Sequence, residues 1–166
     1  MTRVSADDAV TDLYSAHYRP LVRTAALLLG NTAVAEEVVQ DAFVAMHGRW
    51  NRLRDPGKAA AYLRSAVINR SRSALRRRVV EDRNRPLPGV DAPSAEYGAL
   101  AMLERDRVMG ALRELPARQR EALVLRYYAD LSEADIAEAM GISRGAVKSH
   151  ASRGLAALRQ TLEPTA

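Results

Sequence analysis

Between Val79 and Tyr97 the sequence VVEDRNRPLPGVDAPSAEY carries three prolines and a glycine, mixes its charges and has no apolar period. Elsewhere apolar residues recur at helical spacing, and nowhere do they alternate over a useful length as a half-buried strand requires. A segment with no apolar stripe to bury and repeated helix breakers belongs in a linker. The chain of 166 residues therefore divides into a helical domain over 1–78, a flexible linker over 79–98 and a second helical domain over 99–166. About 20 residues of flexible chain span on the order of 25 Å, which leaves the two domains room to move.

Periodicity and stop signals predict helices near 7–29, 32–48, 58–78, 98–114, 117–128, 133–140 and 144–162, and the fold class is all-α. Gly30-Asn31 is a stop and turn, with Thr32 the expected N-cap of the second helix. Pro56-Gly57 breaks the loop NRLRDPGK.

The stretch ADLSEADIAEAMGISRGAVKSH, 129–150, reads as two short helices joined at a glycine. Ser132 and Asp135 have the spacing of a capping box, Gly141 supplies a left-handed turn, and Ser143 caps the helix that follows. At 100° per residue Val147, Ala151, Leu155, Leu158 and Leu162 share the packing side of that helix, while Ala146, Ser149, His150 and Arg153 point away. A small-residue, basic face at the start of the second helix is what lets a helix-turn-helix approach base edges in a major groove. The alternative is an ordinary αα-hairpin with a solvated charged face.

The charge distribution extends the argument to the first domain. The net charge is +5, and residues 1–78 hold 13 basic against 7 acidic side chains, whereas 99–166 are nearly balanced. In AAAYLRSAVINRSRSALRRR the residues Leu63, Val67, Ile68, Ser71, Ala74 and Leu75 form the inward stripe, interrupted slightly by Arg64. Tyr62, Asn69, Arg72, Ser73 and Arg76 lie opposite, next to Arg77. Arginines there can hold phosphates, and Asn69 and Tyr62 can bond to or stack on a base, so this face suits a single strand or distorted duplex; a solvated arginine face is the alternative.

AEEVVQDAFVAMHGRW, 35–50, presents a different surface, because its inward stripe of Val38, Val39, Ala42, Phe43 and Met46 leaves Glu36, Glu37, Gln40 and Asp41 as an acidic and amide edge. Such an edge suits a protein partner with basic residues. A carboxylate metal site from Glu37, Asp41 and His47 is conceivable, although Glu37 and Asp41 also make an ordinary surface pair.

Other chemistry is excluded or unsupported. The absence of cysteine rules out disulfides and thiolate metal sites. No phosphate loop, nucleophile elbow or HExxH is present, so neither an enzyme nor a cofactor is expected. MTRVSADDAV is unlike a signal peptide and TAALLLG is too short to cross a bilayer, which points to a cytoplasmic protein without membrane insertion.

Together these residues resemble the short, two-domain bacterial sigma factors of the extracytoplasmic-function group (group 4), over roughly 10–78 and 98–162. AEEVVQDAF is similar to that family's core-polymerase-binding segment and AYLRSAVINRSRSALRRR to its −10-element helix. LRELPARQREALVLRYYADLSEADIAEAMGISRGAVKSHASRGLAALR is similar to its −35-binding region, and LPARQREALVLRYY ahead of the hairpin separates it from other helix-turn-helix families.

The resemblance implies a sigma factor that binds core RNA polymerase and directs promoter-specific initiation. The first domain would dock on the β′ clamp helices through Glu36, Glu37, Gln40 and Asp41, and hold the −10 element with Tyr62, Asn69, Arg72, Ser73, Arg76 and Arg77. Asn69 stands where the family's asparagine captures a flipped base. The second domain would sit on the β flap and read the −35 element of promoter DNA with Arg144, Lys148, Ser149, His150, Ser152 and Arg153. An anti-sigma factor is a further implied partner. The sequence departs from the family at Ser73, where an aspartate is frequent, and at His47, where a tryptophan is common and Trp50 follows three residues later. A helix-turn-helix regulator with an N-terminal partner domain and a helical adaptor without DNA contact are the other readings.

Overall fold

A computed structural model describes residues 4–81 and 99–163. Among these residues every regular element is a helix or helical turn, the longer ones in the order α1 (Ala6–Leu29), α2 (Thr32–Arg49), α3 (Ala59–Glu81), α4 (Ala99–Glu114), α5 (Ala117–Leu123), α6 (Glu133–Met140) and α7 (Arg144–Leu162). Two short 3-10 turns, Trp50–Arg52 and Pro56–Lys58, fill the loop between α2 and α3. Of the expected linker, 79–81 continue α3, and 82–98 lie outside the described residues.

Local chemistry sets the boundaries. Gly30 ends α1 in the left-handed region with φ 70°, and its amide bonds the Ala26 carbonyl. The next cap differs from expectation: the Asn31 carboxamide accepts from the Val34 amide at 3.0 Å, and Thr32 is the first helical residue. The expected helix over 117–128 is also divided, because α5 widens at Leu123 into a π turn, Val124–Tyr128. That turn closes when the Ala129 amide reaches the Val124 carbonyl, and Asp130 follows at φ 54°, an uncommon conformation for a residue with a side chain.

α1, α2 and α3 pack around Leu21, Ala25, Val39, Phe43, Met46, Leu63 and Val67. In the second half Val124, Leu125, Ile136, Met140, Val147 and Ala151 form the centre, and Leu112, Leu115 and Leu123 meet Leu155 and Leu158 beside it. Gly154 lets α7 come close to α5: a Cβ there would lie 3.0 Å from Leu123 Cδ1 and 3.2 Å from Gln119 Cβ.

The two halves are not apart. Leu28 of α1 and Ile68 of α3 are buried in the cluster built by the second domain. The helical-wheel stripe on α3 therefore serves two partners, with Leu63 and Val67 facing the first core and Ile68, at the edge of the stripe, facing the second. Arg113 donates to the Gly30 carbonyl at 3.0 Å across the same junction.

Arg120 is the buried pin of this arrangement. Its guanidinium donates to the carbonyls of Leu112, Arg113 and Leu115 at 2.8, 2.8 and 2.9 Å, satisfying the end of α4, and to that of Leu28 at 3.2 Å. Burial lowers its pKa from the ordinary arginine value, against the opposing pull of the neighbouring Glu121 carboxylate. Arg120→Met strands these carbonyls, and unfolding in urea is expected to show a loss of about 3 kcal/mol or more. Arg120→Lys should recover little of it, since one ammonium cannot reproduce the planar fork.

Candidate nucleic-acid interface

The hairpin of α6 and α7 is built by its caps. Ser132 Oγ accepts from the Asp135 amide at 3.1 Å, Ser143 Oγ accepts from the Ala146 amide at 3.1 Å, and Gly141 makes the turn at φ 67°. α7 buries Val147, Ala151 and Gly154, which leaves Arg144, Lys148, Ser149, Ser152 and Arg153 exposed and His150 half-buried. These six residues lie on one helix around an open face. Its two leading cations are not free of counter-charge, because Glu133 of α6 stands 3.4 Å from Arg144 Nε and 3.9 Å from Lys148 Nζ.

On α3, Tyr62, Asn69, Arg76 and Arg77 are exposed and Ser73 is half-buried, with Arg76 Nη2 3.5 Å from Ser73 Oγ. Arg72 departs from the open position that a lone helix implies. Its Nε and Nη2 donate to the two oxygens of Glu121 at 2.6 and 2.9 Å, its Nη1 donates to Asn69 Oδ1 at 3.1 Å, and it is partly buried by the second domain. The wheel saw a residue pointing out of its own domain and could not see what lay beyond it.

Glu36, Glu37, Gln40 and Asp41 are exposed together on α2. Beside them stand two tyrosines that the sequence reading omitted, packed on Phe43 of the core stripe: Tyr14 stacks on Tyr18 with ring centroids 4.4 Å apart, Tyr14 and Phe43 meet edge to face at 5.2 Å, and Gln40 Nε2 lies 3.5 Å from the Tyr18 hydroxyl. Partial desolvation, Tyr18 and the Glu36 carboxylate raise the Tyr14 pKa. Val44 is 72% exposed on the same α2 face. An apolar residue one turn after Gln40 on a polar face was the available signal. His47 pairs instead with Asp7, 2.6 Å away, and among the described residues no three acidic or histidine side chains gather as a metal site.

Residues 13–80 match the family described as Sigma-70 region 2, and 105–158 match Sigma-70, region 4. The RNA polymerase sigma-E factor of Streptomyces avermitilis is 35% identical over 145 residues, covering 86% of this chain and 79% of the relative. The ECF RNA polymerase sigma factor SigL of Mycobacterium tuberculosis is 34% identical over 156 residues, or 91% and 87% of the two chains. The chain belongs to the extracytoplasmic-function sigma factors.

Among solved structures, the sigma factor is similar to RpoE of Bartonella quintana, crystallised with the anti-sigma factor NepR, at a TM-score of 0.75 and 26% identity over 92% of this chain and 95% of that one. It is also similar to CnrH in complex with the cytosolic domain of CnrY, at 0.71 and 25% over 95% and 94%. As a sigma factor it directs promoter-specific transcription initiation together with core RNA polymerase. No described helix is long and apolar enough to cross a membrane.

Glu133 gives the open face of α7 a property that can be measured. Glu133→Gln removes the carboxylate beside Arg144 and Lys148, and binding of the sigma factor to duplex DNA of mixed sequence is expected to tighten by about 0.5 kcal/mol with a steeper salt dependence. Titration by fluorescence anisotropy at several salt concentrations reads both quantities.

Proposed function

We propose that the work of this sigma factor is divided between 1–78, which bind core polymerase and capture the −10 element, and 99–166, which read the −35 duplex, with 79–98 as the connection. The observation that carries the division is the pair of unlike helical faces. α7 offers small and basic groups suited to a groove, whereas α3 offers an exposed tyrosine, asparagine and arginine at successive two-turn intervals, suited to an unpaired strand. A protein built to grip duplex DNA alone has no use for the second kind of surface. The protein acts in the bacterial cytoplasm, is not an enzyme and needs no cofactor.

In this reading Arg144, Lys148, Ser149, His150, Ser152 and Arg153 face the −35 element, the cations holding phosphate and Arg153 and Ser149 reaching base edges. Asn69 offers a donor and an acceptor to one extruded base, Tyr62 a stacking wall, and Arg72, Arg76 and Arg77 hold the backbone on either side of Ser73. Glu36, Glu37, Gln40 and Asp41 meet basic residues of the β′ clamp helices, with Tyr14 and Val44 as the apolar centre of that contact, while the second domain sits on the β flap. The solved neighbour bound to the anti-sigma factor NepR supports an anti-sigma factor as a further partner.

Asn69→Ala should slow promoter melting and leave initial duplex binding unchanged. Permanganate footprinting on a duplex promoter should show reduced reactivity at the −10 element, and a pre-melted template should restore transcription, because the unpairing step has been removed. Normal melting by the variant would return Asn69 to an ordinary surface role.

Docking is tested by reversing two charges on one exposed edge. Glu37→Lys combined with Asp41→Lys should leave the circular dichroism spectrum and melting temperature unchanged and weaken binding to core polymerase by about tenfold or more in a competition pull-down. Undiminished competition would show that the edge is only solvated surface.

A further inference from the structure

Arg64 interrupts the inward stripe of α3, and neither polymerase docking nor strand capture uses it. A charged group set on a packed helix face is costly unless a partner meets it. Arg64 is half-buried, yet no ion pair or hydrogen bond reaches it among the described residues. It also lies roughly 140° around α3 from Asn69 at 100° per residue, away from the face assigned to the strand. What it does line is a cavity of about 460 Å³ between α1, α3 and the segment 125–131 that follows α5.

We propose that this cavity is a binding site for a small amphipathic anion, a molecule with one acidic head on an apolar body. Two chemistries meet in its lining. Leu21 of α1, Val67 and Ile68 of α3 and Leu125 are buried and make the apolar part. The Thr24 hydroxyl, beside them in the lining, is committed to the Pro20 carbonyl at 3.0 Å and adds no free polar group. The polar part is cationic: Arg23 and Arg64 bring two guanidiniums, and the half-buried His17 adds a ring nitrogen.

No carboxylate answers these cations within the lining, and Asp130, two residues after Tyr128, is exposed and outside it. Two arginine forks beside an apolar surface select a carboxylate or phosphate head and disfavour a cation. A sugar or a nucleoside would bury hydroxyls that Leu21, Val67, Ile68 and Leu125 cannot satisfy. The volume falls within the range of about 300 to 1,000 Å³ usual for small-molecule sites, and it equals that of roughly fifteen waters. A carboxylate on a chain of about ten carbons is of that size. Tyr128, 56% exposed, leaves the site reachable from solvent.

The test uses the full chain and decanoate, kept below its micelle concentration. Calorimetry should show saturable binding of one decanoate per chain, and the melting temperature should rise with decanoate, since the site exists only in the folded protein. Arg64→Gln and Arg23→Gln should each weaken binding about five- to tenfold through loss of a charge-assisted contact. Arg19→Gln removes an exposed cation of α1 outside the lining and should change nothing. Decanol, with the same chain and no charge, should bind about tenfold more weakly than decanoate and be indifferent to Arg64→Gln. Leu131→Trp, which fills the cavity from its half-buried rim, should abolish binding of both.

Circular dichroism establishes that each variant is folded, and the two glutamine variants decide the matter even if Leu131→Trp does not fold. Absence of saturable binding, or a melting temperature lowered by decanoate as by a detergent, overturns the site. Equal loss in Arg19→Gln and Arg64→Gln reduces the binding to general attraction by a basic chain and overturns it as well. Decanol binding as tightly as decanoate leaves an apolar gap without anion recognition. Flotation with phosphatidylglycerol vesicles that disappears in Arg64→Gln would assign the cations to a lipid surface and overturn the enclosed soluble ligand.

Discussion

The guanidinium of Arg120 lies where a helical protein is hardest to satisfy, at the last carbonyls of a helix that ends inside the fold. α4 stops at Glu114, and the chain turns at once through Leu115 and Pro116 into α5. Arg120 returns from the first turns of α5 to bond the carbonyls left behind. One planar fork thus closes a helix end, sets the angle between α4 and α5 and reaches the Leu28 carbonyl of the first domain. The position of α6 and α7 follows from α5, so the placement of that hairpin depends on this buried cation.

The sequence disclosed what local rules govern. The bounds of α6 and α7 were legible because Ser132, Gly141 and Ser143 act within four residues of themselves. Val38, Val39, Phe43 and Met46 were legible as a core stripe because one period runs through them. Asn31 and Thr32 are both competent caps, and only backbone geometry separates them. The π turn adds one residue to a helical turn without leaving a compositional trace, so 117–128 read as continuous.

What was hidden belongs to the junction. Ile68 counted as inward, but periodicity does not say into which core. Arg72 and Glu121 lie 49 residues apart, and nothing near either announces the other. Glu121 sits in an ordinary amphipathic helix, and its burial to 4% side-chain exposure follows from the second domain resting on α3. Tyr14 and Val44 were missed for the opposite reason: an apolar side chain is assigned to a core by default, and these two are exposed.

The two halves of the junction also belong to one polypeptide. Sites on one chain meet at an effective concentration on the order of millimolar. A contact too weak to hold two separate molecules together is then occupied most of the time, yet it still breaks and re-forms quickly. Arg113 on the Gly30 carbonyl and Arg72 on Glu121 therefore need little affinity of their own to be made within this chain.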